Sequence, residues 1–185
     1  MTREPLPIPA SAYDMDHAEE AEERRTLAVL VDNEPGVLGR VVGLFSARGY
    51  NIESLTVAET DRNKHRSRIT IVTTGTAHML EQIEAQLLRL VPVAAVVDIT
   101  KSRRGIEREL ALVKVAGTGE KRVEALRIAE IFRARVIDTT NESFIFEITG
   151  ASEKVDQFTD LMEPLGLVEV SRTGVLSIRR GKDAG

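Results

Sequence analysis

Thr26-Leu27-Ala28-Val29-Leu30-Val31 runs directly into Asp32-Asn33-Glu34-Pro35-Gly36-Val37-Leu38, and the reading of that junction decides the fold. The first six residues form a short apolar run bounded by turn residues, as a buried strand requires. From Val37 the apolar period changes to that of a helix: Val37, Leu38, Val41, Val42, Leu44 and Phe45 make one broad face, with Arg48 in the last turn and Gly49 as a C-cap. Strand gives way to helix across one proline and one glycine.

Working outward, two strands over about 51–60 and 67–74 flank the charged turn Asp61-Arg62-Asn63-Lys64-His65-Arg66 and read as a hairpin. A second helix over about 76–90 places Leu80, Ile83, Leu87 and Leu90 on one face, and Pro92 ends it before the strand Val93-Ala94-Ala95-Val96-Val97. The same order then returns. Leu110 to Val115 is a strand, and Ala125, Ile128, Ala129 and Phe132 lie at helical spacing within 120–134. Val136-Ile137-Asp138 and Ser143 to Thr149 flank a turn at Thr140-Asn141-Glu142, Val155, Phe158, Met162 and Leu165 mark a further helix, and a strand from Leu167 closes the unit. The fold class is therefore α+β, two tandem ferredoxin-like βαββαβ modules. Each module is only about 75 residues, a size at which pairing with another copy commonly supplements a small core, so at least a dimer is expected.

The 185 residues carry a net charge of −4, and residues 1–24 hold seven acids against two bases, so the remainder is close to neutral. A neutral body offers no electrostatic footprint for duplex nucleic acid. The tail, rich in proline and acids, is expected to stay disordered. No apolar run reaches the ~18 residues that would span a bilayer and no secretion signal opens the chain, so a cytoplasmic protein with no membrane contact is expected. There is no cysteine, hence neither a disulfide framework nor a thiolate nucleophile.

No catalytic constellation emerges. His17, His65 and His78 stand far apart in sequence, without metal-ligand spacing, and no phosphate loop or nucleophile elbow is present. Phe144, Phe146 and Ile148 alternate as in an RNA-binding platform, but the more polar Ile145, Glu147 and Thr149 supply the other face, so the phenylalanines are expected to point inward. Gly39 and Gly43 inside the first helix each cost roughly 1 kcal/mol relative to alanine, which close approach to the sheet or to another subunit would offset.

The candidate site is the junction itself together with Gly49-Tyr50-Asn51-Ile52-Glu53-Ser54-Leu55. A helix start after Pro35-Gly36 presents unpaired N–H groups and the positive end of a dipole to a small anion such as a carboxylate. Asn51, a neutral donor and acceptor, is suited to an ammonium and a carboxylate together. Asn33 and Asn51 bracket the helix, though asparagine is a poor strand starter unless its amide is used. The residues alone leave two readings open, an amino-acid ligand and a plain helix boundary.

Asp-Asn-Glu-Pro-Gly-Val-Leu at 32–38 and Gly-Leu-Phe-Ser-Ala-Arg-Gly-Tyr-Asn-Ile-Glu-Ser-Leu-Thr-Val-Ala at 43–58 closely resemble the regulatory (small) subunit family of acetolactate synthase, also called acetohydroxyacid synthase. The likeness continues through 80–84, 108–115, 130–133 and 168–174, covering about 25–181. It implies an ACT domain over 25–101 and a C-terminal ferredoxin-like domain over 108–181, which leaves an acidic tail over 1–24 that matches nothing in the family's motif, a linker over 102–107 and a short tail over 182–185. It further implies a non-catalytic subunit in branched-chain amino acid biosynthesis, with no cofactor of its own. Its partner would be a catalytic large subunit holding thiamine diphosphate, magnesium and FAD, activated and made valine-sensitive by this chain. The family's motif places Asn33, Gly36, Val37 and Leu38 of one chain against Asn51 and Ile52 of a second in a homodimer joined through ACT domains. The competing expectation is a free-standing tandem-ACT amino-acid sensor acting on another enzyme or on transcription.

Overall fold

The computed structural model describes residues 21–61, 63, 65–101 and 105–182. The first module comprises β1 (Glu23–Asp32), α1 (Val37–Ala47), β2 (Ser54–Asp61), β3 (Arg66–Gly75), α2 (Ala77–Leu87) and β4 (Val93–Asp98). Its strands are antiparallel in the order β2-β3-β1-β4. The second comprises β5 (Gly105–Ala116), α3 (Gly119–Phe132), β6 (Arg135–Thr139), β7 (Ser143–Gly150), α4 (Ser152–Gly166), β8 (Leu167–Arg172) and β9 (Leu176–Arg179). Its order is β6-β7-β5-β8, with β9 pairing the start of β5. This is the expected tandem α+β arrangement.

Each module has its own core. In the first, the period-two residues Leu27, Val29 and Val31 of β1 meet Val37, Val41 and Phe45 of α1 and Leu80, Ile83 and Leu87 of α2. In the second, Ala111, Val113 and Val115 of β5 meet Ala125 and Ala129 of α3 and Val155, Phe158 and Met162 of α4. Phe144, Phe146 and Ile148 are buried in that core, and Phe146 meets Phe158 edge to face at 5.9 Å between centroids, so β7 presents no aromatic platform.

Register exposes a second face of the first sheet, opposite the helices. Thr26, Val72 and Ser54 form one cross-strand row and Ala28, Thr70 and Thr56 the next, all small side chains. Thr26, Ala28, Thr70 and Val72 are buried. The second module covers part of this face. Residues 173–175, the bend between β8 and β9, sit on Ser54 and Thr56, and the buried Val175 marks the contact.

Several boundaries differ from the sequence reading. β1 begins at Glu23, and Arg24 pairs with Thr74, so the tail expected to reach residue 24 enters the sheet earlier; its residues 1–20 lie outside the described residues. Residues 105–107 of the expected linker belong to β5, because β9 supplies them with ladder partners: Gly105 with Arg179, Ile106 with Ile178 and Glu107 with Ser177. Residues 102–104 of that linker, Arg62 and Lys64 of the charged turn, and 183–185 lie outside the described residues. β2 starts at Ser54 rather than 51, which leaves Asn51 and Ile52 as a lead-in ahead of the strand.

Candidate functional site

The site is built on the end of β1. The Asp32 N–H donates to the Pro92 carbonyl at 2.8 Å and the Asn33 N–H to the His65 carbonyl at 2.6 Å, which fixes the loop against its neighbours. Gly36 then adopts φ +84°, a left-handed conformation that lets the chain turn into α1 within four residues. Among the described residues no side chain caps α1. The Val37 N–H returns to the Glu34 carbonyl at 3.3 Å and the Arg40 N–H to Gly36 at 3.1 Å. Among the described residues, the N–H groups of Gly36, Leu38 and Gly39 find no acceptor. The Glu34 carboxylate is held by Arg40 at 2.6 Å instead of capping the helix. What remains is a set of donors at a helix N-terminus, facing solvent.

The other end of α1 carries the second segment. The Tyr50 N–H returns to the Phe45 carbonyl at 3.0 Å as the helix closes, and Tyr50 packs its ring edge-on against Phe45. The Asn51 carbonyl accepts from Thr73 Oγ1 at 2.7 Å and the Glu53 N–H donates to the Val72 carbonyl at 2.9 Å. Those bonds tie the 51–53 backbone to β3 and leave the Asn51 amide exposed. Neither that amide nor the Asn33 amide makes a hydrogen bond among the described residues.

The structure does not bring the two asparagines together within one chain. Asn33 neighbours His65 and Asn51 neighbours Thr73, eight positions apart along β3, a separation on the order of 26 Å. Of the six residues singled out, Val37 turns its side chain into the core and has its amide engaged, whereas Leu38 is 39% exposed beside the free donors. Ile52 is half-buried against the first core. The Gly39 amide joins the donor set, unnoticed in the sequence because a third-position helix amide is free whatever side chain it carries.

Gly39 and Gly43 do not pack against the sheet, contrary to one half of the expectation. Apart from the neighbouring backbone of α1 itself, no atom of the described residues lies within 4 Å of where a Cβ would stand at either position. They lie on the exposed side of α1 with Leu38, 39% exposed.

A cleft of about 510 Å³ between the modules is a different kind of place. Arg172 forks onto the buried Glu109 at 2.7 and 2.6 Å and reaches Asp156 at 2.6 Å. The hydrogen bond to Glu109 raises the Arg172 pKa above its ordinary value despite partial burial. Arg24 spans the modules, 3.5 Å from Glu53 and 3.2 Å from Glu107. These charges already answer one another, so the cleft is a clamp. Among the described residues no group of three or more His, Asp or Glu could hold a metal ion, and no helix is long and apolar enough to cross a membrane.

Known proteins share this architecture. The family model for the AHAS small subunit-like ACT domain matches residues 27–95, and the model for the small subunit of acetolactate synthase matches 108–181. The acetolactate synthase small subunit of Haemophilus influenzae is 48% identical over 160 residues, covering 86% of this chain and 97% of that protein. The isozyme 3 small subunit of Escherichia coli is 47% identical over 159 residues, covering 85% and 96%. The crystal structure of the acetolactate synthase small subunit from Thermotoga maritima superimposes with a TM-score of 0.77 at 38% identity, over 87% of this chain and 99% of that one. With both modules matched in order and the relatives aligned over nearly their whole lengths, the chain belongs to the acetolactate synthase small-subunit family.

Proposed function

We propose that this chain is the regulatory subunit of acetolactate synthase, which binds the catalytic large subunit, raises its activity and confers feedback inhibition by valine. The chain supplies no catalytic group; thiamine diphosphate, magnesium and FAD belong to the large subunit. Family membership supports the regulatory role. The observation that carries the effector reading is the separation of Asn33 and Asn51 at opposite ends of one module, each with a side-chain amide that makes no hydrogen bond among the described residues.

Two copies, meeting through the ACT domains and related by a two-fold axis, bring the Asn33 end of one against the Asn51 end of the other. The free amides of Gly36, Leu38 and Gly39 then hold the valine carboxylate, Asn33 and Asn51 share its ammonium and carboxylate, and Leu38 with Ile52 walls the isopropyl group. The site exists only in the assembly, so an effector that prefers one holoenzyme state biases catalysis, typically by ~1 to 3 kcal/mol. Leucine and isoleucine differ from valine by one methylene, worth only ~1 to 3 kcal/mol of discrimination.

The test is the Asn51→Ala chain reconstituted with an acetolactate synthase large subunit and assayed over a valine series. Activation of the large subunit is retained and the half-inhibitory valine concentration rises at least about tenfold, equivalent to ~1.4 kcal/mol. Undiminished valine sensitivity overturns the site. A wild-type chain that neither binds nor activates a large subunit overturns the function.

A further inference from the structure

We infer that the seam formed by Ser54, Thr56 and the Thr173–Val175 bend transmits effector occupancy from the first module to the second. The inference rests on the effector reading given above and names the residues that couple that site to the rest of the chain.

β2 starts at Ser54, two residues beyond Ile52. The intervening backbone has little slack, because the Asn51 carbonyl and the Glu53 N–H are both bonded to β3. A ligand that fixes the Asn51 amide therefore acts on a short, tethered segment whose next side chain is Ser54. Ser54 Oγ accepts the Val175 N–H at 2.8 Å, and Thr56 Oγ1 donates to the Val175 carbonyl at 3.2 Å. Both main-chain polar groups of Val175 are thus satisfied by side chains of β2, and Val175 itself is only 3% exposed. Those bonds are the obligatory partners of a buried peptide, so the bend follows β2 if β2 shifts.

The fit leaves no room for sliding. Gly174 has φ +79°, and a Cβ there would stand 2.7 Å from Ser54 Oγ and 3.1 Å from Thr56 Cγ2. On its other side the bend is fastened to the middle strand of the second sheet. The Thr173 N–H donates to the Leu110 carbonyl at 3.0 Å, and the Leu110 N–H donates back to Thr173 Oγ1 at 3.2 Å. One residue earlier, Arg172 grips Glu109 of the same strand with two parallel bonds. The chain of contacts from Asn51 to β5 is therefore short and directional at each step, which is what a coupling element needs.

The experiment uses the full chain, alone and reconstituted with an acetolactate synthase large subunit. Ser54→Ala and Thr56→Val each remove one seam bond, and Thr56→Ser keeps the hydroxyl. Valine binding is measured by calorimetry on the chain, inhibition on the holoenzyme, and amide hydrogen exchange over 172–179 with and without valine. In the wild-type chain valine slows exchange over 172–179. In Ser54→Ala and Thr56→Val, valine binds within about threefold of wild type, exchange over 172–179 no longer responds, and the half-inhibitory concentration rises at least about tenfold; Thr56→Ser behaves as wild type.

Two outcomes overturn the inference: normal inhibition in variants whose seam exchanges faster, or parallel loss of valine binding and inhibition, which marks the seam as scaffold. If the wild-type chain binds no valine, the effector reading fails first, and this inference with it.

Discussion

The two modules share one topology and differ at the first turn of their leading helix. α1 follows a four-residue loop whose left-handed Gly36 leaves three amides without an acceptor among the described residues, and it packs less closely on α2 than α3 does on α4. α3 follows only Gly117 and Thr118. The Gly117 N–H is taken by the Glu142 carbonyl at 2.9 Å, and a Cβ at Gly117 would lie 3.1 Å from the Leu165 carbonyl oxygen. Glu120 places a carboxylate in the first turn, and α3 packs closely on α4, with Phe132 and Phe158 at 5.6 Å. A helix N-terminus already facing its own acid is a poor host for a ligand carboxylate. α3 likewise has no side-chain cap among the described residues, so the comparison teaches that the fold supplies the helix end, while the first-turn side chains decide whether it suits a ligand's negative charge.

If one module receives the signal and the other is a closed body built around its own core, damage should be separable. Phe158→Ala removes a fully buried ring from between Phe132 and Phe146, at a cost of about 3 to 5 kcal/mol. Hydrogen exchange should then rise throughout β5, β7 and α4 while amides of β1 and β3 keep most of their protection. Equal loss in both modules would break the comparison, since the chain would then unfold as one unit.

A smaller effect should follow from the clamp. Arg172→Met leaves Glu109, 4% exposed, without its partner. Removing one member of a buried pair costs about 3 to 5 kcal/mol; Arg172 is about one-third exposed, so ~2 to 3 kcal/mol is expected by urea unfolding. The double variant Arg172→Met/Glu109→Gln should recover part of that loss, because no ionised group is then stranded. A loss confined to the single variant locates the cost in the carboxylate rather than in packing. No recovery would show that the guanidinium stem, not its charge, holds the seam.

The periodic parts of this structure were legible in advance, and the long-range parts were not. Val37, Val41 and Phe45, or Val155, Phe158 and Met162, announce their faces because helical spacing is a local property. β9 is four residues long and sits beyond a glycine bend, and its partner 105–108 includes Glu107 and Arg108, so 105–107 falls in the expected linker and 176–179, though inside the expected second domain, carries no strand signal. Glu109 is buried only because Arg172 arrives from 63 positions away. At the candidate site the helix-starting loop and Asn51 could be picked out from residue type. Their separation could not, since it depends on the register of β3 against β1 and β2. That Gly39 and Gly43 face open space rather than the sheet was equally out of reach, because composition marks a glycine as costly without saying which surface uses it.

Those two glycines give the smallest and sharpest comparison of the modules. In α3 the small residues four apart are Ala125 and Ala129, and these lie on the core face, both buried against the second core, where small size serves packing within the chain. Gly39 and Gly43 meet no other element among the described residues. In a lone copy Gly43→Ala therefore fits without a clash and should stabilise α1 by about 0.5 to 1 kcal/mol, the ordinary gain of alanine over glycine in a helix interior. If a second copy approaches this flank, the added methyl enters a close contact, and the same variant should dissociate at higher protein concentration than wild type. Sedimentation across a dilution series, read beside urea unfolding, separates the two effects. A rise in stability with unchanged association would mean that α1 presents ordinary solvent-facing surface. A rise accompanied by weaker association would mean that its glycines are held for a neighbour, which is what a site split between two chains requires.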